Sequence, residues 1–155
     1  MSKQLEYRIA CALCDYVARQ YPQHVRDKRF FAIENGGHRN KITAGRLKRS
    51  GVTPGVSDYC ITTPCGAYSV LWMELKHEGG RLSPDQLTFL RSHRSDGHLA
   101  VVAYGFDEAR AIIDAWMTGD VDGVSWYART DTKSERNKAH KKCTEGASPE
   151  SLRGP

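Results

Sequence analysis

One continuous apolar run constrains the fold of this 155-residue chain more than any other feature. It covers His98–Tyr104 (HLAVVAY), a length and composition that predict a buried β-strand. Helical patterns stand on both sides of it. Before the run, Ser83 fits a helix N-cap, Pro84 the first helical position and Gln86 the third position of a capping box. After the run, Phe106–Met117 has one apolar face and predicts a second amphipathic helix.

The rest of the chain supplies further strands and helices. A helical pattern covers Lys3–Gln20, and Phe30–Ile33 is a short apolar strand. Tyr59–Thr63 and Tyr68–Lys76 flank a Pro-Cys-Gly turn signal and predict a hairpin. The resulting order is helix, strand, hairpin, helix, strand, helix. This order predicts an α/β fold with a mixed β-sheet flanked by helices.

Composition limits the class of protein. A chain of this length with 39% hydrophobic residues can form one domain with a real core, expected over residues 1–127. Residues 128–155 have almost no large apolar side chains and are expected to form a mobile polar tail. No run of about 18 apolar residues exists, so no membrane partner is expected. The odd number of cysteines and the lack of a secretory signal at the N-terminus favour a cytoplasmic protein.

Positive charge is concentrated between Val25 and Ser50. This segment contains eight basic and two acidic residues, a net charge of +6, whereas the whole chain carries +5. Such a local excess is typical of a surface that binds a polyanion. A solvated basic face without a specific ligand is an equally good interpretation of charge alone.

Glu74 and Lys76 are two residues apart in the second hairpin strand. Alternate residues of a strand share one face, so the carboxylate and the ammonium group point the same way. A surface ion pair would give the same pattern and contribute at most about 1 kcal/mol. Against that interpretation stands Asp58, which lies at the start of the neighbouring strand, where the hairpin can bring its carboxylate close to Glu74.

Two carboxylates held close together repel each other unless a cation joins them. Mg²⁺ prefers oxygen ligands and keeps several waters, and Mn²⁺ is expected to substitute for it. The candidate ligands are Glu6, Asp58, Glu74 and the carbonyl group of Leu75. Glu6 continues the apolar stripe of its helix and can point inward, although an acidic residue in a first helical turn also suits the helix dipole. Lys76 would stand beside a metal-bound water, an arrangement suited to phosphodiester hydrolysis.

Asp58 followed by Glu74-Leu75-Lys76 matches the D…ExK core of the PD-(D/E)xK nuclease superfamily. Three surrounding segments resemble the small stand-alone VRR-NUC proteins of phage and bacterial type: NGGHRNKITAGRLKRSGVTPGVSD, WMELKHEGGRLSPDQLTFL and GHLAVVAYGFDEARAIIDAW. The resemblance covers about Leu5 to Trp116. It implies a restriction-endonuclease-like fold, Mg²⁺-dependent endonuclease activity on DNA, and a homodimer that acts on branched DNA such as a four-way (Holliday) junction. It also implies a bacterial or phage-infected cell as the setting of the cytoplasmic protein.

The resemblance also implies roles for individual residues. The implied catalytic residues are Glu6, Asp58, Glu74, Lys76 and Gln86, and Gln86 keeps its capping role as an alternative. The family usually has proline where this chain has Ser57, next to Asp58. The residues expected to contact DNA, from the loop ahead of Asp58 and from the basic segment, are Asn35, Gly36, Gly37, His38, Arg39, Lys41, Arg46, Lys48 and Arg49.

Three alternatives stay open at this point. The first is a monomeric flap or nicking nuclease, which the mass in solution would distinguish from a dimer. The second is a non-catalytic basic nucleic-acid-binding protein in which Glu74 and Lys76 form a structural ion pair; its DNA binding would be sensitive to salt and indifferent to Mg²⁺. The third is RNA as substrate, because nothing in the sequence indicates recognition of a 2′-hydroxyl group.

Overall fold

The computed structural model describes residues 2–33 and 41–138, and it describes no side chains for residues 2 and 41–44. Its helices are α1 (Ser2–Gln20), α2 (Pro22–Arg26), α3 (Lys41–Arg49), α4 (Pro84–Ser95), α5 (Gly105–Thr118) and α6 (Val121–Ala128). Its strands are β1 (Phe30–Ala32), β2 (Tyr59–Ile61), β3 (Leu71–Lys76) and β4 (Leu99–Tyr104). A further short helix spans 133–138. Within these ranges, no helix is long and apolar enough to cross a membrane.

The four strands form one mixed sheet in the order β1-β2-β3-β4. β1 pairs antiparallel with β2, β2 pairs antiparallel with β3, and β3 pairs parallel with β4. The predicted hairpin is therefore the β2–β3 pair, and α4 is the crossover that the parallel β3–β4 connection requires. The predicted α/β fold with a helix-flanked mixed sheet is confirmed, whereas α2 and α6 were not predicted.

Both faces of the sheet are covered. On one face, a core cluster includes Leu71, Met73 and Leu75 of β3 together with residues of α1 and α5. On the other face, Leu90 of α4 packs with Ala100, Val102 and Tyr104. β4 contributes alternate residues to both clusters, which explains why its sequence is apolar without interruption. The apolar pattern of α1 is buried at Leu13 and Val17, but Leu5, in its first turn, is exposed.

β4 is an edge strand, and arginine side chains satisfy its outer carbonyl groups. Arg94 Nε donates to the carbonyl of Ala100 at 2.6 Å, and Arg136 Nη2 donates to the carbonyl of Val102 at 3.0 Å. An edge strand with free backbone groups is a template for pairing with another chain. The two arginines close this edge to such pairing.

The polar segment after α6 is attached to the domain through these contacts. Arg136 is only 1% exposed, forms an ion pair with Glu108 of α5, and lies over the rings of Tyr104, Trp126 and Tyr127. Asp131, Lys133 and Arg136 thus attach the first part of the expected tail to the domain, while the boundary at residue 128 and the mobility of the tail stay predictions. An arginine placed among aromatic rings and a carboxylate is buried without being apolar. Residues 139–155, the rest of the expected tail, lie outside the described residues.

Candidate active site

The register of the hairpin brings two carboxylates together. Tyr59 pairs with Met73, and continuing that register by one residue places Asp58 beside Glu74 on the same face of the sheet. β2 ends at Tyr59, so the last residues of β3 have no strand partner on the β2 side, although they pair with β4 on the other side. The backbone N–H of Leu75 donates to Asp58 Oδ2 at 2.9 Å. The side chain of Asp58 thus replaces the missing strand neighbour and is fixed at the end of β2.

Glu74 is the most deeply buried acid of this site, with 1% of its surface exposed. Its Oε1 atom accepts hydrogen bonds from Lys76 Nζ, at 2.7 Å, and from Gln86 Nε2. Its Oε2 atom is also buried, and no donor among the described residues reaches it. A buried carboxylate oxygen without a donor is costly unless a proton or a cation occupies it.

The electrostatics of the pair follow from this geometry. Burial, reinforced by the negative charge of Asp58 and opposed by Lys76, raises the pKa of Glu74 to about 7. Burial also raises the pKa of Asp58, although the hydrogen bond from Leu75 and the charge of Lys76 oppose the shift. A hydrogen bond between the two carboxyl groups lowers the pKa of Asp58 and raises that of Glu74, which is the result expected when Glu74 carries the proton. Near neutral pH, Glu74 is therefore close to half-protonated in the metal-free protein.

Gln86 forms the predicted capping box and also donates a hydrogen bond to Glu74, while its catalytic role stays a prediction. Its backbone N–H donates to Ser83 Oγ, and its side-chain Oε1 accepts from the Ser83 backbone N–H at 2.8 Å, which completes the predicted capping box of α4. Its Nε2 group is then left to donate to Glu74. Because an amide has both an acceptor and donors, one side chain can begin the helix and orient the buried carboxylate.

The loop that leads to Asp58 is fixed against the start of α4. Gly55 has a φ of +85°, and a Cβ atom there would come within 2.6–2.7 Å of the backbone of Asp85. Only glycine fits a left-handed conformation with so close an approach. Ser57, next to Asp58, is fully buried. The strand end that carries Asp58 and the helix that carries Gln86 are thereby held together.

The side chain of Lys76 is buried along most of its length. The residue is 8% exposed, and its ammonium group is directed at Glu74. The β3–α4 loop, residues 77–83, turns back over it: the backbone N–H of Gly80 donates to the carbonyl of His77 at 2.8 Å. Gly80 was not among the predicted site residues, although a Gly-Gly pair next to a strand indicates a close approach of backbone.

Glu6 is directed toward the same end of the sheet. It is half-buried on α1, and its Oε1 accepts from the backbone N–H of His77 at 3.4 Å. Its negative charge adds to the rise in the pKa of Asp58 that burial causes. Among the described residues, however, no group of three or more histidine, cysteine, aspartate and glutamate side chains is gathered closely enough to hold a metal ion. The assignment of Glu6 as a metal ligand stays a prediction.

The residues expected to contact DNA are only partly described. Arg46, Lys48 and Arg49 are exposed on α3, as a phosphate-binding role requires. Lys41 begins α3, but the structure does not describe its side chain. The remaining five predicted residues also lie outside the described ranges: Asn35, Gly36, Gly37, His38 and Arg39.

The donor set suits a hard divalent cation. Mg²⁺ is usually held by one or two carboxylates and retains several waters, so Asp58 and Glu74 suffice without a third acid. The orphaned Glu74 Oε2 gives such an ion a buried anionic oxygen. The N–H and C=O groups of one strand residue point to the same edge, so the Leu75 carbonyl lies on the Asp58 side of β3.

Comparison with known proteins agrees with this architecture. No family model matches the chain, and no curated protein matches it in sequence. Among solved structures, a "VRR_NUC domain protein" matches with a TM-score of 0.60 and 23% sequence identity, over 73% of this chain and 88% of that protein. The chain therefore has the fold of a VRR_NUC domain, as the sequence resemblance implied.

Proposed function

We propose that this chain is a metal-dependent nuclease that hydrolyses DNA phosphodiesters. The observation that carries the proposal is the arrangement around Glu74. A buried carboxylate is held by a lysine and a glutamine through one oxygen, while its other oxygen and a neighbouring aspartate are left for a cation. A purely structural ion pair would not require the second carboxylate, because adjacent buried negative charges destabilise each other.

Each residue has a distinct part in the proposed mechanism. Asp58 and Glu74 would hold the ion, which when bound would polarise the scissile phosphate and lower the pKa of a coordinated water. Gln86 orients the Glu74 carboxylate and leaves one of its oxygens available. Lys76 presents an ammonium group next to that carboxylate, where it can orient the attacking water or donate to a phosphate oxygen. Burial of the lysine side chain restricts where this charge can move.

Substrate binding would use the basic helix α3. Arg46, Lys48 and Arg49 are exposed, and the chain between α3 and β2 leads to Asp58. Contacts of this type hold a nucleic-acid backbone in register without reading its bases. The name of the structural neighbour denotes a nuclease domain, which supports the same class of activity for this chain.

The finer proposal is a junction-resolving endonuclease that acts as a homodimer with Mg²⁺, or with Mn²⁺ in its place. One site of this kind cuts one strand, so a two-fold pair of sites would cut two strands symmetrically. The support for this part is the sequence resemblance to small VRR-NUC proteins. DNA rather than RNA is proposed on the same ground.

The test is cleavage of a labelled four-way junction and a matched linear duplex, with Mg²⁺, Mn²⁺ or EDTA. Wild type and Glu74→Gln are compared, because glutamine keeps the shape of the side chain and removes its charge. We expect metal-dependent cutting by wild type, lost in the variant, and preference for the junction. Equal cutting of both substrates would remove junction selectivity. Tight binding without cutting under any condition would favour the non-catalytic alternative.

The assembly needs a separate measurement. Sedimentation or light scattering, with and without the junction, gives the mass of the protein and of the complex. A monomer that cuts one strand would favour the flap or nicking alternative and contradict the dimeric resolvase. An RNA duplex of the same sequence tests the choice of substrate.

A further inference from the structure

We propose that Gly80 is a positioning residue for Lys76: it lets the β3–α4 loop lie on the lysine side chain and hold the ammonium group against Glu74. The proposal rests on the nuclease function proposed above, in which Lys76 is catalytic. It concerns a residue whose contacts are with His77 and Lys76. Its effect on the reaction would pass through the position of one ammonium group.

A side chain at residue 80 would fit only if a neighbouring group moved by a few tenths of an ångström. A Cβ atom placed there would lie 3.0 Å from the carbonyl oxygen of His77, 3.1 Å from Cβ of Lys76 and 3.2 Å from Cδ of Lys76. Ordinary contacts of a methyl group begin at about 3.5 Å. The backbone of Gly80 itself has no left-handed φ, so an alanine there would be strained by these contacts and not by its backbone conformation.

The three contacts differ in how readily they can yield. Cβ of Lys76 is fixed by β3, which pairs with β4 at this residue. The His77 carbonyl accepts the hydrogen bond from the Gly80 N–H at 2.8 Å, so moving it away breaks the turn. Cδ of Lys76 is held only by side-chain torsions, each of which is softer than a strand or a turn. The added methyl group would therefore push the loop away from β3 and displace the lysine side chain that the loop covers.

Displacement of Cδ is transmitted to the ammonium group two bonds further along. Lys76 Nζ lies 2.7 Å from Glu74 Oε1, a distance at which a shift of a few tenths of an ångström weakens a charge-assisted hydrogen bond. A misplacement of about 1 Å in a catalytic group can reduce turnover by roughly 100-fold. We expect Gly80→Ala to reduce kcat by roughly 10- to 100-fold and to leave KM near its wild-type value.

Gly79 is a matched control in the same turn. A Cβ atom there would lie 3.4 Å and 3.7 Å from ring atoms of His77, which are ordinary contacts with a side chain that can move. Its backbone φ is also not left-handed. Gly79→Ala makes the same chemical change one residue earlier, and we expect it to leave cleavage and the position of Lys76 unchanged.

The experiment has one readout that does not depend on catalysis. The lysine ammonium correlations of the ¹⁵N-labelled 155-residue chain are recorded in EDTA, and the Lys76 signal is identified by its loss in Lys76→Arg. Cleavage kinetics and thermal unfolding are measured on the same samples. We expect both glycine variants to be folded. The Lys76 signal should shift or broaden in Gly80→Ala and not in Gly79→Ala, and kcat should be reduced in Gly80→Ala and not in Gly79→Ala.

The outcomes separate this inference from the proposed function. If the Lys76 signal is the same in Gly80→Ala as in wild type, the inference is overturned, whatever the cleavage rate. If the signal moves and kcat does not, Gly80 does not position a catalytic group and the inference is also overturned. If wild type itself does not cut DNA, the nuclease proposal fails, while the contact between Gly80 and Lys76 is still judged by the signal.

Discussion

The Glu74 carboxyl group makes the stability of the metal-free protein depend on pH. Its pKa is raised from 4.5 to about 7 by burial and by the neighbouring Asp58 charge. The folded protein therefore binds the Glu74 proton more tightly than the unfolded chain does. Stability is highest when both states are protonated, and it falls as the pH rises from about 4.5 through about 7.

The magnitude follows from the size of this shift. Each pKa unit corresponds to about 1.4 kcal/mol, so the change of roughly 2.5 units corresponds to about 3 kcal/mol lost by pH 8. A domain of this size has a net stability of about 5–15 kcal/mol, so the loss is large enough to measure. The loss belongs to the Asp58–Glu74 pair, because the two groups titrate together.

The assay is urea unfolding at several pH values between 5 and 8 in EDTA, for wild type and Glu74→Gln. The variant cannot release this proton, so its free energy of unfolding should fall less with pH, by up to about 3 kcal/mol. Adding Mg²⁺ at pH 8 should stabilise wild type and not the variant, because the ion replaces the proton. Glu78→Gln, with a side chain 78% exposed, is the control and should follow wild type.

One result would refute this reasoning. If wild type and Glu74→Gln lose the same free energy between pH 5 and pH 8, Glu74 does not carry the proton in the folded protein. If Glu78→Gln changes the pH dependence of the free energy of unfolding as much as Glu74→Gln does, the effect comes from the net charge of the protein and not from the buried site. Mg²⁺ stabilisation of equal size in wild type and Glu74→Gln would place the ion elsewhere.

Three further predictions concern other parts of the structure. Gln86→Ala should cost about 1 kcal/mol of stability through the lost cap and should also slow cleavage, measured by urea unfolding and by turnover. Arg136→Ala should lower the free energy of unfolding by about 3 kcal/mol, because it removes a fully buried side chain that pairs with Glu108 and donates to the Val102 carbonyl, although Lys133 still pairs with Glu108. The exposed Arg91→Ala should cost less than about 1 kcal/mol. The double variant Arg46→Ala/Arg49→Ala should weaken DNA binding and flatten its salt dependence by about one unit per lost phosphate contact, measured by titration at several salt concentrations.

Local features of the fold could be predicted from the sequence because they depend on neighbouring residues. Ser83, Pro84 and Gln86 predicted the capping box of α4, and the structure contains it. The apolar run of β4 predicted a buried strand, and the two-residue period of a strand placed Glu74 and Lys76 on one face. The helices α2 and α6 were missed because their sequences are short and show little periodicity.

The attachment of residues 129–138 could not be predicted because it depends on distant partners. The segment is polar, and composition alone indicates a mobile tail. Its burial comes from Glu108, the aromatic rings and the open edge of β4, which are assembled by other parts of the chain. A buried arginine of this kind has no signature in the sequence around it.

By itself, the sequence determined the sheet, the hairpin and the shared face of Glu74 and Lys76, since turns and strand periodicity act over a few residues. The tertiary structure decided that Asp58 lies beside Glu74, that Gln86 donates to the same carboxylate, and that Gly80 lies on Lys76. These contacts depend on strand register and helix position to within about 1 Å. Such placement results from packing of the whole domain, because no local pattern fixes a distance between separate elements.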